Sequence, residues 1–189
     1  METLTCVCLG IGLSAACGFR VFVPLLFMSL ASLSGHLTLA QSFSWIGTYP
    51  ALVTFAVATG LEIGGYYIPW VDHLLDTLST PAAVVAGTIV TAAIITDASP
   101  LLKWTLAVIA GGGVAGVVQG STVLARATST ATTGGLGNPL FATIELGGAV
   151  VTSIMALVAP IILALLVMVT LWLVVKKLVH RKFRPAPIK

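Results

Sequence analysis

From Thr3 to Val175 only eight Asp, Glu, Lys or Arg residues interrupt an apolar chain: Arg20, Glu62, Asp72, Asp76, Asp97, Lys103, Arg126 and Glu145. Asp97 and Lys103 flank the turn sequence Asp97-Ala98-Ser99-Pro100, which leaves six within or against apolar segments. A charge at the centre of a bilayer costs about 2.5–3.5 kcal/mol on insertion scales. Residues kept at that cost face a polar cavity, a partner charge or a substrate path. The hydrophobic fraction is 58%, charged residues make up 8%, and mean hydropathy is +1.09. A soluble domain carries about 25% charged residues, so this chain cannot cover a globular surface. The expected fold is an all-α integral membrane protein in a lipid bilayer, of about six transmembrane helices of ~20 residues each.

Six of the nine Lys and Arg residues follow Val175: Lys176, Lys177, Arg181, Lys182, Arg184 and Lys189. They come directly after an apolar run, which reads as a stop-transfer anchor touching anionic lipid and not as a nucleic-acid site. The expectation is one transmembrane domain over 1–175 and a basic cytoplasmic tail over 176–189. The start, Met1-Glu2-Thr3, is not basic and the apolar stretch outruns a signal h-region, so no cleaved leader is expected. With an even number of spans, both termini belong in the cytoplasm, in the inner (plasma) membrane.

The first apolar segment, about Thr3 to Leu33, is too long for one crossing of a ~30 Å hydrocarbon core. Gly18-Phe19-Arg20, then Pro24, predict a kink or break. Ser34 to Ser44 reads as a loop, and a second span covers about Trp45 to Ile68. Pro69 to Pro81 predicts a short amphipathic helix near 69–80 with Asp72, Asp76 and Ser79 on its polar side. A short third span (about Ala82 to Thr96) and a fourth (about Leu101 to Ala127) follow. The run Gly111-Gly112-Gly113 in the fourth permits unwinding. Thr128 to Pro139 reads as a polar glycine-rich loop with Gly137, Asn138 and Pro139 at a hinge. Pro160 divides the last apolar stretch into two spans. Leu61-Glu62-Ile63-Gly64-Gly65 resembles Ile144-Glu145-Leu146-Gly147-Gly148, which suggests two inverted three-helix halves, 1–97 and 98–175.

Three blocks together resemble a bacterial membrane family known as domain of unknown function 4126. They are Gly12 to Pro24 (Gly-Leu-Ser-Ala-Ala-Cys-Gly-Phe-Arg-Val-Phe-Val-Pro), Ile68-Pro69-Trp70-Val71-Asp72-His73, and Thr132-Thr133-Gly134-Gly135-Leu136-Gly137-Asn138-Pro139. The resemblance covers nearly the whole chain. It implies a small polytopic membrane protein and no particular activity. In the family an acidic and a basic residue precede the Ile-Pro. Here Gly65-Tyr66-Tyr67 stands there, so a charge pair near Asp72 is absent.

The candidate substrate or ion path residues are Arg20, Glu62, Asp72, Asp76, Arg126 and Glu145. Arg20 reads either as an anion or headgroup ligand, or as the positive partner of Glu62, Asp72 or Asp76. Glu62 and Glu145 each precede Gly-Gly on an apolar helix, where a carboxyl can carry a proton, bind a cation or bond a neighbouring helix. Asp72, His73 and Asp76 suit acid–base or metal chemistry, although a solvated helix face is the plainer reading. Cys6, Cys8 and Cys17 have no metal-ligand spacing and read as small packing residues. No motif calls for a metal or other cofactor, and no catalytic motif is present. Three functions stay open. The first is a small-solute or ion transporter or channel, whose path a second copy could help enclose. The second is a scaffold or assembly subunit whose charges only pair helices. The third is an intramembrane enzyme acting on lipid through Asp72, His73 and Asp76.

Overall fold

The computed structural model describes residues 3–68 and 71–182, apart from the side chains of 73, 174, 175 and 177–182. Every regular element among them is helical: α1 Thr3–Cys17, α2 Phe22–Leu33, α3 Tyr49–Gly65, α4 Val71–Ile94, α5 Pro100–Leu106, α6 Gly113–Thr133, α7 Asn138–Val158 and α8 Pro160–Lys182. A 3₁₀ turn, Gln41–Gly47, precedes α3, and a π-helical stretch, Ala107–Gly112, joins α5 to α6. Local signals set most ends. Thr48 and Ser99 accept from the N–H of Ala51 and Leu102 at the starts of α3 and α5, and a proline follows each cap within two positions. Gly134 and Gly135 take φ of +65° and +91° after α6, a conformation that glycine adopts without steric cost.

The break near Gly18 is present, but α2 does not continue the direction of α1. Ser14 Oγ donates to the Gly87 carbonyl at 2.9 Å and meets Thr91 Oγ1 at 2.9 Å. A hollow at the start of α1 is lined by Thr3, Cys6, Ile95, Thr96 and Asp97. The two helices are therefore antiparallel, with Thr3 at the level of the end of α4. Past α2 the chain returns to that same level, where the N–H of Ala40 donates to the Ala93 carbonyl at 2.8 Å. Helices α1 and α2 thus form a hairpin that enters the bundle from one end, turns at Gly18–Val21 and leaves at the same end. At 15 and 12 residues its arms reach about 22 and 18 Å. The remaining chain runs back and forth between the two ends. The 34–48, 95–99 and 159 connections lie at the hairpin's open end; residues 66–68, the 134–137 connection and Lys182 lie at the other.

This layout corrects several expectations. By length and composition, three helices can cross a membrane: Leu74–Ile94, Pro100–Thr133 and Asn138–Val158. A fourth span appears if the bent pair Gln41–Gly47 and Tyr49–Gly65 counts as one. Among the described residues the further apolar stretches Thr3–Cys17, Phe22–Leu33 and Pro160–Leu173 are shorter, the last being the apolar part of the 23-residue α8. The start of α1 and the end of α8 lie at opposite ends of the bundle, not at one, because the first segment turns back. Pro81 does not end a short amphipathic helix: α4 runs through it to Ile94. Proline gives up one backbone bond there, and packing of the whole helix against α1 and α6 outweighs that loss. The polar stretch from Thr128 stays helical to Thr133, where its hydroxyls bond carbonyls of their own helix; only 134–137 turn. Gly112 and its neighbours form a π-helical stretch instead of unwinding. Pro24 lies within the first turn of α2, and Pro160 starts α8 as expected.

The hairpin packs centrally because small residues let backbones approach. α1 is buried over Gly12–Cys17 and touches α4, α6, α7 and α8. A Cβ on Gly18 would fall 2.5 Å from Val118 Cβ and 2.7 Å from the Ala115 carbonyl oxygen. We therefore expect Gly18→Ala to destabilise the protein by about 1–3 kcal/mol, the usual range for overpacking. Gly60 has nothing within 4 Å of such a carbon, so Gly60→Ala should hold or raise the melting midpoint through helix propensity. Thermal unfolding of the two purified variants checks both.

Candidate functional site

The hairpin tip leaves backbone N–H groups at the start of α2 with no partner in their own helix. In hydrocarbon such groups need a protein acceptor. Glu62 of α3 supplies it: Oε1 accepts from Val21 N–H at 2.8 Å and Oε2 from Phe22 N–H at 3.1 Å. A carboxylate at a helix N-terminus is favoured by charge-assisted bonding and by the helix dipole. Glu62 is buried, and both of its oxygens are used in holding the tip.

Arg20 sits in the turn and is 1% exposed. Its Nη2 donates to the Ala142 carbonyl at 2.9 Å and lies 3.6 Å from Glu145 Oε2. The acid in ion-pair contact with Arg20 is thus Glu145 on α7; of the expected partners, Glu62 lies near enough to interact with the guanidinium electrostatically but spends its oxygens on the tip. Arg126 of α6 donates through Nη2 to the same Glu145 oxygen, and its Nη1 lies 3.4 Å from Asp76 Oδ1 on α4. Both arginines stack on Tyr66, with guanidinium carbons 3.8 and 4.3 Å from the ring centroid. The ring's negative face attracts each cation, so the tyrosine holds two like charges around one acid. Its hydroxyl meets Ser79 Oγ at 2.9 Å.

A further polar layer lies beside the cluster. Asn138 Nδ2 donates to Asp72 Oδ2 at 2.9 Å and to Thr130 Oγ1 at 3.0 Å. Asp72 and Asn138 are both buried. The acidic side of the 69–80 segment is therefore not a solvated face. It turns inward because α4 is a full-length bundle helix. Gly137 and Pro139 flank Asn138 at the start of α7, and the N–H of Gly137 donates to Thr133 Oγ1 at 3.1 Å.

Five of the six candidates (Arg20, Glu62, Asp76, Arg126 and Glu145) converge directly around the hairpin tip, and Asp72 reaches the α6–α7 corner through Asn138. The two guanidinium groups thus share Glu145, and Arg126 also reaches Asp76. Arg20 Nε and Nη1, Arg126 Nε and Glu145 Oε1 are buried with no hydrogen-bond partner among the described residues. The chemistry available is ion pairing and hydrogen bonding to a small charged or proton-donating species in a buried enclosure. Among the described residues no group of three His, Cys, Asp or Glu side chains is placed to hold a metal ion. The side chain of His73 lies outside the described residues. Sequence reasoning missed Tyr66 and treated Asn138 only as a hinge. Tyr66 stands four residues after Glu62, and that i, i+4 spacing on one helix face was the available signal.

The repeat suggested by Glu62-Ile63-Gly64-Gly65 and Glu145-Leu146-Gly147-Gly148 pairs residues with unlike roles. Glu62 caps a helix start, whereas Glu145 neutralises two arginines.

No curated protein and no solved structure matches this chain. A family model described as Domain of unknown function (DUF4126) matches residues 7–180, nearly the whole chain, across the hairpin, the cluster and the corner that holds Asp72. The chain belongs to that family.

Proposed function

We propose that this protein is a small transporter or channel-like protein for a cation or other proton-donating solute, and that the cluster at the hairpin tip is its intramembrane site. The observation that carries the reading is the re-entrant hairpin. Irregular backbone at membrane depth is tolerated where it is buried in protein or lines a path, and broken helices aimed at charged groups mark the sites of many transporters. Arg20, Asp76, Arg126 and Glu145 form the site, Asp72 borders it, and Glu62 shapes the tip. The basic residues from Lys176 onward support a cytoplasmic end of α8 in the inner (plasma) membrane; the open end of the hairpin would then face the other side. The two halves take unlike roles, so the mechanism needs no internal symmetry.

A scaffold role is the second reading, favoured by closure: Arg20, Arg126 and Glu145 are each under 5% exposed. The two readings separate on one substitution. Replacing a buried ion pair by apolar residues of similar size is often neutral or stabilising, whereas removing one partner costs about 3–5 kcal/mol. We expect Arg20→Met and Arg126→Met together with Glu145→Leu to recover much of the stability that Glu145→Leu loses alone, as read by thermal unfolding. On the transport reading the folded triple variant is inactive; a scaffold keeps its role.

Flux is measured directly in proteoliposomes, with a pH-sensitive dye inside and an imposed potassium diffusion potential. The expected result is proton or cation entry above protein-free vesicles, cut about ten-fold or more by Glu145→Gln and by Asp76→Asn. Glutamine and asparagine keep size and hydrogen bonding but cannot ionise. Glu62→Gln should instead lower stability by about 1–3 kcal/mol, because one buried N–H loses its acceptor. Flux equal to empty vesicles, or unchanged in both acid variants, contradicts the transport reading.

A further inference from the structure

Two apolar grooves reach the polar cluster from the side. One, of about 430 Å³, lies between α2, α3 and α4 and is lined by Glu62 and Ser79 among apolar side chains. The other, of about 310 Å³, lies between the hairpin tip, α6, α7 and α8. Its walls include Phe19, Val118, Phe141, Ile144 and Leu171, and Glu145 is the one charged residue that lines it. Its volume is at the lower end of small-ligand pockets. The two differ in what they offer. Both oxygens of Glu62 are occupied by backbone N–H groups. Glu145 spends Oε2 on the arginines, and Oε1 is buried with no hydrogen-bond partner among the described residues.

The three hydroxyls in the second groove sharpen the choice of occupant. Ser121, Thr122 and Thr170 donate their protons to the carbonyls of Val117, Gln119 and Leu166 on their own helices. Each therefore faces a ligand as an acceptor. A groove with four acceptors, a carboxyl among them, and an apolar wall offers no donor to carboxylates and phosphates. It suits a donor that carries positive charge on a short apolar body.

We propose that this groove binds a small protonated alkylamine, its N–H on Glu145 Oε1 and its chain between α6, α7 and α8. The inference rests on the transport reading of the cluster and names the substrate class for it. Occupancy would couple to the site directly, because the acid that receives the amine also holds Arg20 and Arg126.

The test is calorimetric titration of the purified protein in phosphatidylcholine nanodiscs with hexylamine, hexanol and hexanoate, with empty nanodiscs subtracted. Saturable hexylamine binding is expected, with hexanol about ten-fold weaker or more, since a charge-assisted hydrogen bond is roughly twice as strong as a neutral one. Hexanoate should not bind. Ser121→Phe fills the groove from an exposed position on α6 and should abolish binding without lowering the melting midpoint. Glu145→Gln should weaken hexylamine to the level of hexanol. Equal binding of hexylamine and hexanol, unaffected by Glu145→Gln, means that the groove holds an annular lipid chain only and overturns the proposal. So does undiminished hexylamine binding by Ser121→Phe. No saturable binding while proton or cation flux persists overturns the groove and leaves the cluster's role standing. Amine binding without flux of any kind overturns transport and leaves the groove.

Discussion

The fold depends on satisfying one helix start inside the bundle. Turning the chain at Gly18–Val21 exposes the first N–H groups of α2 in a place where water cannot serve them. Each buried N–H left without an acceptor costs about 1–3 kcal/mol. Glu62 answers two of them with two oxygens. That fixes α3 against the tip and points Arg20, in the same turn, at α7. The arginine then needs a counter-charge, and Glu145 supplies it. The same acid is shared by Arg126, which brings in Asp76, while Tyr66 lies between the two guanidinium groups. One reversal of direction thus gathers α2, α3, α4, α6 and α7 around a single polar point.

Small residues make the arrangement sterically feasible. α1 occupies the middle of the bundle with no charged side chain, bonding α4 through Ser14 and approaching α6 through Gly18. On α4, a Cβ at Gly87 would lie 2.7 Å from Ala115 Cβ and 2.9 Å from the Gly111 carbonyl oxygen. The π-helical stretch at 107–112 and Gly87 across from it therefore form one close contact. In lipid, where apolar side chains gain little by leaving the tails, such packing and the few buried hydrogen bonds carry the association.

Much of this was legible in the chain. Apolar run lengths and prolines located α3, α7, α8 and the break near Gly18. The cost of charge in hydrocarbon singled out all six residues that meet in or beside the cluster. Other features were not legible, for identifiable reasons. Run length shows that the first segment is too long for one crossing, but a break has no sign: it can bend onward or turn back. Only the contacts at Ser14 and Ala40 decide that. Pro81 and the threonines from 128 to 133 carry turn-like local preferences, and tertiary packing in α4 and intrahelical hydroxyl bonds in α6 override them. Arg20 was expected to meet an acid from its own half of the chain, since sequence offers no measure of which helices become neighbours. Tyr66, being uncharged, gave no signal by cost.

The claim on which the account stands is that α1 and α2 form a re-entrant hairpin. Single cysteines at Thr3, Gly35 and Gly135, in a background with Cys6, Cys8 and Cys17 replaced by alanine, can be labelled in intact cells and in inverted vesicles with a membrane-impermeant maleimide. Positions 3 and 35 should react from one side of the membrane and position 135 from the other. Reaction of positions 3 and 35 from opposite sides would mean that the first segment crosses the bilayer, and the charged cluster would lose the tip that organises it.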